Sequence, residues 1–292
     1  MFPTLRSLPD PEALRGRLAE VYGLPFTDCT LLRSLVNDVY EVTAPDARYV
    51  LKLYRANHWT VQEIRWETRL LRQLVRAGLQ VPEVVVLADG SEVGVLEAAE
   101  GDRPYTLSTY LAGTKPQPPF DDELYHSFGV LIAAFHDATD DFLPRAPRRQ
   151  PAAEGNLLRE LAGAVRNHLA QYSGVLARGI CHGDVSLDNV FVTADGLALY
   201  DFDLSGDGYR AADFTGVAAT PYWPAFLAGY QSRRPVSDAD LAAIPYLTVA
   251  GRLANLHFHL VDKPLTRGTE SIGEGWAAAE LAALQEAAER LL

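Results

Sequence analysis

The chain has 292 residues, of which 48% are apolar and 22% charged, the make-up of a folded globular protein rather than a disordered one. Its net charge of −12 argues against a broad nucleic-acid surface, which needs a basic footprint, and no apolar run approaches the length of a membrane span. The first residues lack the basic-then-apolar pattern of a secretory leader, so the expected compartment is the cytoplasm, with Cys29 and Cys181 as reduced, buried thiols.

Residues 11–22 read as a first helix capped by Asp10. The segments 30–35, 39–42 and 48–54 are rich in β-branched and aromatic residues and are separated by turn-prone Asn37-Asp38 and Ala44-Pro45-Asp46, so they read as strands. Thr60 and Glu63 spell a capping box for a helix running to Ala77 and stopped by Gly78, with Ile64, Leu70, Leu71, Leu74 and Val75 as its apolar stripe. Strands are expected at 83–88 and 93–98, then at 106–111 after a turn over 100–104. The Pro-rich stretch 112–119 continues neither a helix nor a strand and reads as a connector. Beyond it, helices are expected at 121–138, 156–172, 222–231, 238–260 and 275–292, the fourth capped by Ser237 and Asp240. A hairpin over 190–200 interrupts them. The pattern predicts an α+β, two-lobe architecture. Residues 1–111 would form a five-stranded antiparallel sheet with one main helix, and residues 112–292 a mainly helical lobe.

The run from Cys181 to Asn189 carries the chemistry. Asp184 and Asn189 stand five positions apart and follow His182, the H-x-D-x-x-x-x-N spacing of kinase catalytic loops, and Asp201 comes one hairpin later. Phosphoryl transfer requires mainly positioning and charge neutralisation. Asp184 suits a base that aligns a hydroxyl and takes its proton. The Asn189 amide oxygen and the Asp201 carboxylate suit magnesium, which prefers a few hard oxygen ligands beside water and phosphates. His182 reads as a brace for the loop. The plain alternative is a loop with a satisfied histidine and solvated acids, which leaves the coincidence of four positions unexplained.

Only three of the 26 basic residues are lysines, and Lys52 lies inside the apolar strand segment Val50-Leu51-Lys52-Leu53. Alternation places it on one face with Val50 and Tyr54, where a compact ammonium can reach nucleotide phosphates if a carboxylate orients it. Glu67 is the expected partner and Glu63 the second choice, since the helix cap also claims Glu63. Segment 34–40 sits where a phosphate-covering loop belongs, yet it has no glycine; Asn37 is suited to a left-handed turn and to donating from its side chain, and an ordinary hairpin turn predicts the same letters. The lone Gly206-Asp207-Gly208 carries no dinucleotide meaning. His257 and His259, two apart on a helix, face different ways and read as structural. A metal-dependent hydrolase built on His182 and Asp184 would need further ligand clusters, and the sequence has none at ligand spacing.

With His182-Gly183-Asp184 to Asn189 and Tyr200-Asp201-Phe202-Asp203 in view, the chain resembles the aminoglycoside phosphotransferase family over about residues 30–260. This is the branch of the protein-kinase-like fold that includes choline kinases and the bacterial homoserine-kinase and stress-response-kinase groups, and the resemblance is nearest the last two. It implies a bilobal protein-kinase-like fold, with a nucleotide-binding lobe over 1–111 and a catalytic, acceptor-binding lobe over 112–292. It further implies that Asp213, in Ala211-Ala212-Asp213-Phe214, braces the catalytic loop, and that adenine meets main-chain groups near Thr109, Tyr110 and Leu111. The glycine-free loop and Asp203 in place of a DFG glycine depart from protein kinases and are tolerated in this family.

The implied activity is ATP- and magnesium-dependent phosphorylation of a hydroxyl, with GTP left open as donor. The expected acceptor is a small molecule such as an aminoglycoside or other antibiotic, an amino alcohol or a sugar, held by acids among Asp188, Asp203, Asp207 and Glu154. The alternatives are a protein Ser/Thr kinase of the stress-response type and a non-catalytic nucleotide-binding pseudokinase. The latter would be expected to lack Lys52, Asp184, Asn189 or Asp201, and all four are present.

Overall fold

A computed structural model describes Thr4 and residues 6–142, 156–172, 174–264 and 275–291. The chain divides into two compact units, Met1–Thr114 with Phe191–Tyr200, and Lys115–Val190 with Asp201–Leu292.

In the first unit, α1 (Pro11–Tyr22) starts where the Asp10 side chain accepts the Ala13 N–H at 2.9 Å, and ends at Gly23. Leu14, Leu18 and Tyr22, four residues apart, form its buried stripe. Strands β1 (Asp28–Ser34), β2 (Asp38–Ala44) and β3 (Ala47–Leu53) follow as an antiparallel meander, with Ala44 facing Ala47 across a turn at Pro45 and Asp46. Helix α2 (Val61–Arg76) has the reciprocal Thr60–Glu63 capping box that its sequence predicts. Then come β4 (Val84–Val85), β5 (Gly94–Ala98) and β6 (Gly101–Thr109).

The sheet runs β1-β2-β3-β6-β4, with β5 also paired to β6, so all six segments read as strands join it rather than five. The turn expected over 100–104 is a tighter link at Ala99 and Glu100, because Ala98 faces Gly101 and that glycine has φ +119°. Pro104 sits inside β6 rather than ending it, and its carbonyl still accepts the Tyr54 N–H at 2.9 Å. Alternation along β3 sends Leu51 and Leu53 to the core shared with α1, while Tyr54 joins Ile64 of α2 in a separate cluster. Lys52 therefore belongs to the α2 face.

The second unit contains α3 (Asp122–Ala138), capped by Asp121, then α4 (Asn156–Gln171) and β7 (Arg178–Cys181). The hairpin β8 (Val190–Thr193) and β9 (Gly196–Leu199) follows, and its residues Phe191–Tyr200 group with the first unit. There the Leu199 N–H meets the Gln80 carbonyl at 2.9 Å and the Thr193 hydroxyl meets the Gln80 amide oxygen at 2.7 Å. Strand β10 (Gly206–Tyr209) pairs antiparallel with β7. Helices α5 (Thr215–Ala218), α6 (Trp223–Gln231), α7 (Asp238–His257) and α8 (Trp276–Leu291) complete the unit. Leu161 and Val165 of α4, Leu253 and Leu256 of α7 and Leu284 of α8 share one buried cluster. The helix expected to reach residue 260 changes to a π turn over Phe258–Asp262, within which His259 lies 4.1 Å from the Trp276 ring. No described helix is long and apolar enough to cross a membrane.

Helices α3 and α6 cross at glycines. A Cβ on Gly129 would stand 1.9 Å from the Phe226 carbonyl oxygen, and one on Gly229 would stand 1.9 Å from the His126 carbonyl oxygen. Backbone rather than a flexible side chain blocks both positions, so the helices must part to admit a methyl group. Gly129→Ala is expected to cost about 1–3 kcal/mol, the usual range for overpacking. Urea unfolding measures this; an unchanged midpoint would show that the crossing yields freely.

Candidate active site

Strand β7 delivers the chain to a loop that begins at His182 and closes in a 3-10 turn over Leu187–Asn189. One buried carboxylate shapes it. Asp213 accepts the His182 N–H at 2.8 Å, the Gly183 N–H at 2.9 Å and His136 Nε2 at 3.0 Å. Gly183 has φ +84°, and a Cβ there would stand 2.3 Å from the Leu204 carbonyl oxygen, so this position admits only glycine without strain. Burial pushes the His136 pKa down, so the ring is neutral: Nε2–H donates to Asp213, and Nδ1 accepts the Tyr230 hydroxyl at 2.7 Å. Burial alone would raise the Asp213 pKa; the hydrogen bond from His136, the electrostatic influence of His136 and His182, and the Gly183 N–H together outweigh it and hold the carboxyl below its usual range. The His182 ring is fully buried against Phe202 and Phe135, with centroids 5.0 and 6.1 Å away, and its carbonyl accepts the Ser205 hydroxyl at 3.1 Å.

The loop brings Asp184 and Asn189 together. Asn189 Nδ2 donates to the Asp184 carbonyl and to Asp184 Oδ2, each at 2.9 Å, which turns its amide oxygen away from Asp184. Asp184 keeps solvent access, but the protein around it pushes its pKa above the usual carboxylate range; Asn189 and His182 oppose this, while Asp201 and Asp188 add to it. Asp201 has φ +64°, uncommon for a residue with a side chain and often found where function holds the backbone. Among the described residues no group of three or more His, Cys, Asp or Glu side chains is arranged to hold a metal. An outward amide oxygen beside a few carboxylates fits magnesium, which takes one or two protein carboxylates and leaves the rest of its shell to water and phosphates. Lys115 donates to the Asp188 carbonyl. Asp207 pairs with Arg178 at 2.6 Å, whereas Asp203 lies in a short 3-10 turn with Phe202 and Leu204. Glu154 lies outside the described residues.

In the first unit, Lys52 Nζ lies 3.0 Å from Glu67 Oε1, which also accepts the Tyr54 hydroxyl at 3.2 Å. Glu63 serves the cap, where it accepts the Thr60 N–H at 2.9 Å. Asn37 is buried and does not take a left-handed conformation, because a three-residue connection over 35–37, closed by Leu35 N–H to the Asn37 carbonyl, links β1 to β2. The N–H of Thr109 goes to the Glu83 carbonyl (2.8 Å) and that of Tyr110 to the Arg48 carbonyl (3.1 Å).

Sequence reasoning missed His136, Tyr230 and the buried ion pair Arg103–Asp38, 2.6 Å apart. Arg103 carries no signal in the sequence, since Gly101-Asp102-Arg103-Pro104 reads as a turn and not as part of an apolar strand. His136 carries none, since a histidine on an apolar helix face has no meaning until its partner is known.

Fold and loop together define a protein-kinase-like phosphotransferase. The model of the phosphotransferase enzyme family (APH) matches residues 28–242, and the chain belongs to that family. An uncharacterised protein of Deinococcus radiodurans is 34% identical over 99% of this chain and 93% of its own length. A homoserine kinase of Rhodospirillum rubrum is 29% identical over 66% of this chain and 67% of its own. Among solved structures, a microcompartment-associated aminopropanol kinase superposes with a TM-score of 0.75 at 20% identity, covering 96% of this chain and 98% of that one. The amicoumacin kinase hAmiN, in complex with AMP-PNP, Ca2+ and Ami, gives 0.73 at 19%, covering 95% and 94%. These two likenesses show the fold. The protein is a kinase whose acceptor is an alcohol group.

The raised Asp184 pKa has a measurable consequence. A carboxyl that binds its proton more tightly when folded contributes stability below its unfolded pKa and loses that contribution as pH rises through the folded value. At neutral pH the ionised Asp184 is therefore a burden on the free protein. Asp184→Asn is expected to raise Tm at pH 7, with a gain that shrinks toward pH 4. A gain that grows on acidification would contradict the assigned direction.

Proposed function

We propose that the protein transfers the γ-phosphate of ATP, with magnesium, to a hydroxyl of a small molecule carrying an amine. The Asp184–Asn189 arrangement carries this reading. Its two hydrogen bonds hold the Asp184 carboxylate in one orientation and aim the Asn189 oxygen outward. Asp184 orients the acceptor hydroxyl and takes its proton late in the transfer. Its raised pKa suits that role, since a base works best when its pKa approaches the operating pH. Asn189 and Asp201 would hold magnesium, which when bound supplies charge neutralisation at the phosphates.

Residues 1–111 serve the nucleotide and 112–292 the catalytic loop and acceptor. Lys52, oriented by Glu67, is assigned to the nucleotide phosphates and the loop containing Asn37 to their cover. With the Thr109 and Tyr110 N–H groups bonded to the Glu83 and Arg48 carbonyls, a base near residues 109–111 would meet their carbonyls and the Leu111 N–H. An acceptor carbonyl beside a donor N–H suits the amino group and ring nitrogen of adenine, favouring ATP over GTP.

The amine is argued from charge. Asp188 and Asp203 stand within four residues of Asp184 and Asp201 along the chain, and carboxylates gathered there suit an ammonium. The names of the similar proteins agree, since aminopropanol and homoserine each carry an amine beside a hydroxyl.

A phosphate-transfer screen with ATP and magnesium tests the reading over amino alcohols, homoserine, aminoglycosides, peptide antibiotics, sugars and a generic protein. Transfer to an amine-bearing small molecule is expected. Transfer to protein alone would replace the small-molecule acceptor, and slow ATP hydrolysis with no acceptor would favour a nucleotide-binding role. Asp184→Ala should lower kcat by about 10²–10⁴-fold, the worth of a positioned general base, while nucleotide affinity stays close to wild type. Undiminished turnover in that variant would sink the assignment of the base.

A further inference from the structure

A phosphate-covering loop normally bends because it is rich in glycine. Residues 35–37 contain none, so their shape has to be imposed from outside. Ser34 and Asp38 face each other across the base of this loop, and their side chains are joined by the Ser34 hydroxyl donating to Asp38 Oδ1 at 2.6 Å. Arg6, from the segment ahead of α1, donates to both Ser34 and Asp38, closing the base of the loop with one guanidinium. Arg55 donates to the Leu35 carbonyl at 2.6 Å and so grips the loop itself.

Asp38 is anchored from below by Arg103, whose Nη2 donates to Asp38 Oδ2 at 2.6 Å; both side chains are fully buried. The other Arg103 donors reach the Tyr54 carbonyl (3.0 Å) and the Ser7 carbonyl (2.9 Å). Glu100 then holds Ser7 through its N–H (3.1 Å) and hydroxyl (2.7 Å). The segment carrying Arg6 is thus tied down on both sides of its backbone. Three guanidinium groups share two carboxylates, Asp38 and Glu100, the latter 3.7 Å from Arg103 Nη1, and burial followed by the charges of Arg6 and Arg103 pushes the Arg55 pKa down. Crowded cations of this kind favour an anion nearby.

We propose that Arg6, Ser34 and Asp38 form a clasp that presets the glycine-free loop for the nucleotide phosphates, making the segment ahead of α1 a positioning element of the nucleotide site. The proposal rests on the reading of this loop as the phosphate cover. A loop held in its binding shape avoids the ordering cost that a flexible one meets on binding. The clasp should therefore matter for ligands with phosphates and not for the nucleoside alone.

Arg6 is the residue to change, because its side chain keeps 24% exposure whereas Arg103 has none and its loss would strand a buried charge. Calorimetry would give Kd for AMP-PNP with magnesium and for adenosine, using wild type, Arg6→Ala, Arg6→Lys and the milder Ser34→Ala. Arg6→Ala is expected to weaken AMP-PNP by about tenfold, the effect of losing one charge-assisted hydrogen bond, and to leave adenosine within about twofold. Arg6→Lys should recover part of the loss, and Ser34→Ala should show a smaller loss in the same sense. Equal weakening of both ligands would mean a merely structural role, and unchanged AMP-PNP affinity in both variants would mean no role; either overturns the clasp. Wild type failing to bind AMP-PNP would overturn the nucleotide reading itself, and the clasp with it.

Discussion

Asp213 sets the path by which the chain leaves β7, because it accepts the main-chain N–H groups of both His182 and Gly183. A carboxylate buried this deeply is costly unless each oxygen is satisfied, and it is satisfied by two main-chain donors and by a neutral His136. The dependence extends outward. His136 lies on α3 and takes its second hydrogen bond from Tyr230 on α6, so the brace requires those helices to stay in register. They do so through the close crossing at Gly129 and Gly229. The direction in which the loop carries Asp184 is in this way linked to the spacing of two helices.

The first unit uses the same device twice. Lys52 and Glu67 are joined where β3 faces α2, and Arg103 and Asp38 are joined beneath the β1–β2 loop. Neither pair is a large source of stability, since desolvation offsets most of the Coulombic attraction. What such pairs supply is direction. Glu67 holds a lysine that would otherwise sample many rotamers, and Asp38 gives a loop without glycine one shape. The residue types follow, with a compact ammonium where a single carboxylate is met and planar guanidinium groups where several acceptors must be bridged at once.

Family membership, the alcohol acceptor and the protein-kinase-like fold stand on the matched family model and on the curated and structural relatives. They converge on the chemistry at the phosphate, and the differences among those relatives lie in the hydroxyl that receives it. A phosphoryl group makes the same demands in every member, whereas an acceptor is recognised by whatever charges and shapes surround it.

Much of the site was legible before the fold. His182, Asp184, Asn189 and Asp201 stand at spacings set by one loop and one hairpin, so local sequence suffices to place them. Thr60 and Glu63 announced the start of α2 for the same reason, their bonds spanning a single turn. The placement of Lys52 on the α2 face followed from strand alternation alone. What the sequence by itself determined is whatever depends on neighbours a few residues away: element type, capping and the local spacing of chemical groups. Tertiary structure formed the Lys52–Glu67 pair that the sequence had put first, and it alone decided the buried and non-left-handed Asn37, Pro104 inside β6, and the His136–Asp213 and Arg103–Asp38 contacts. These join residues distant along the chain, and their energies exist only once packing has excluded water and left each buried polar group a single partner to find.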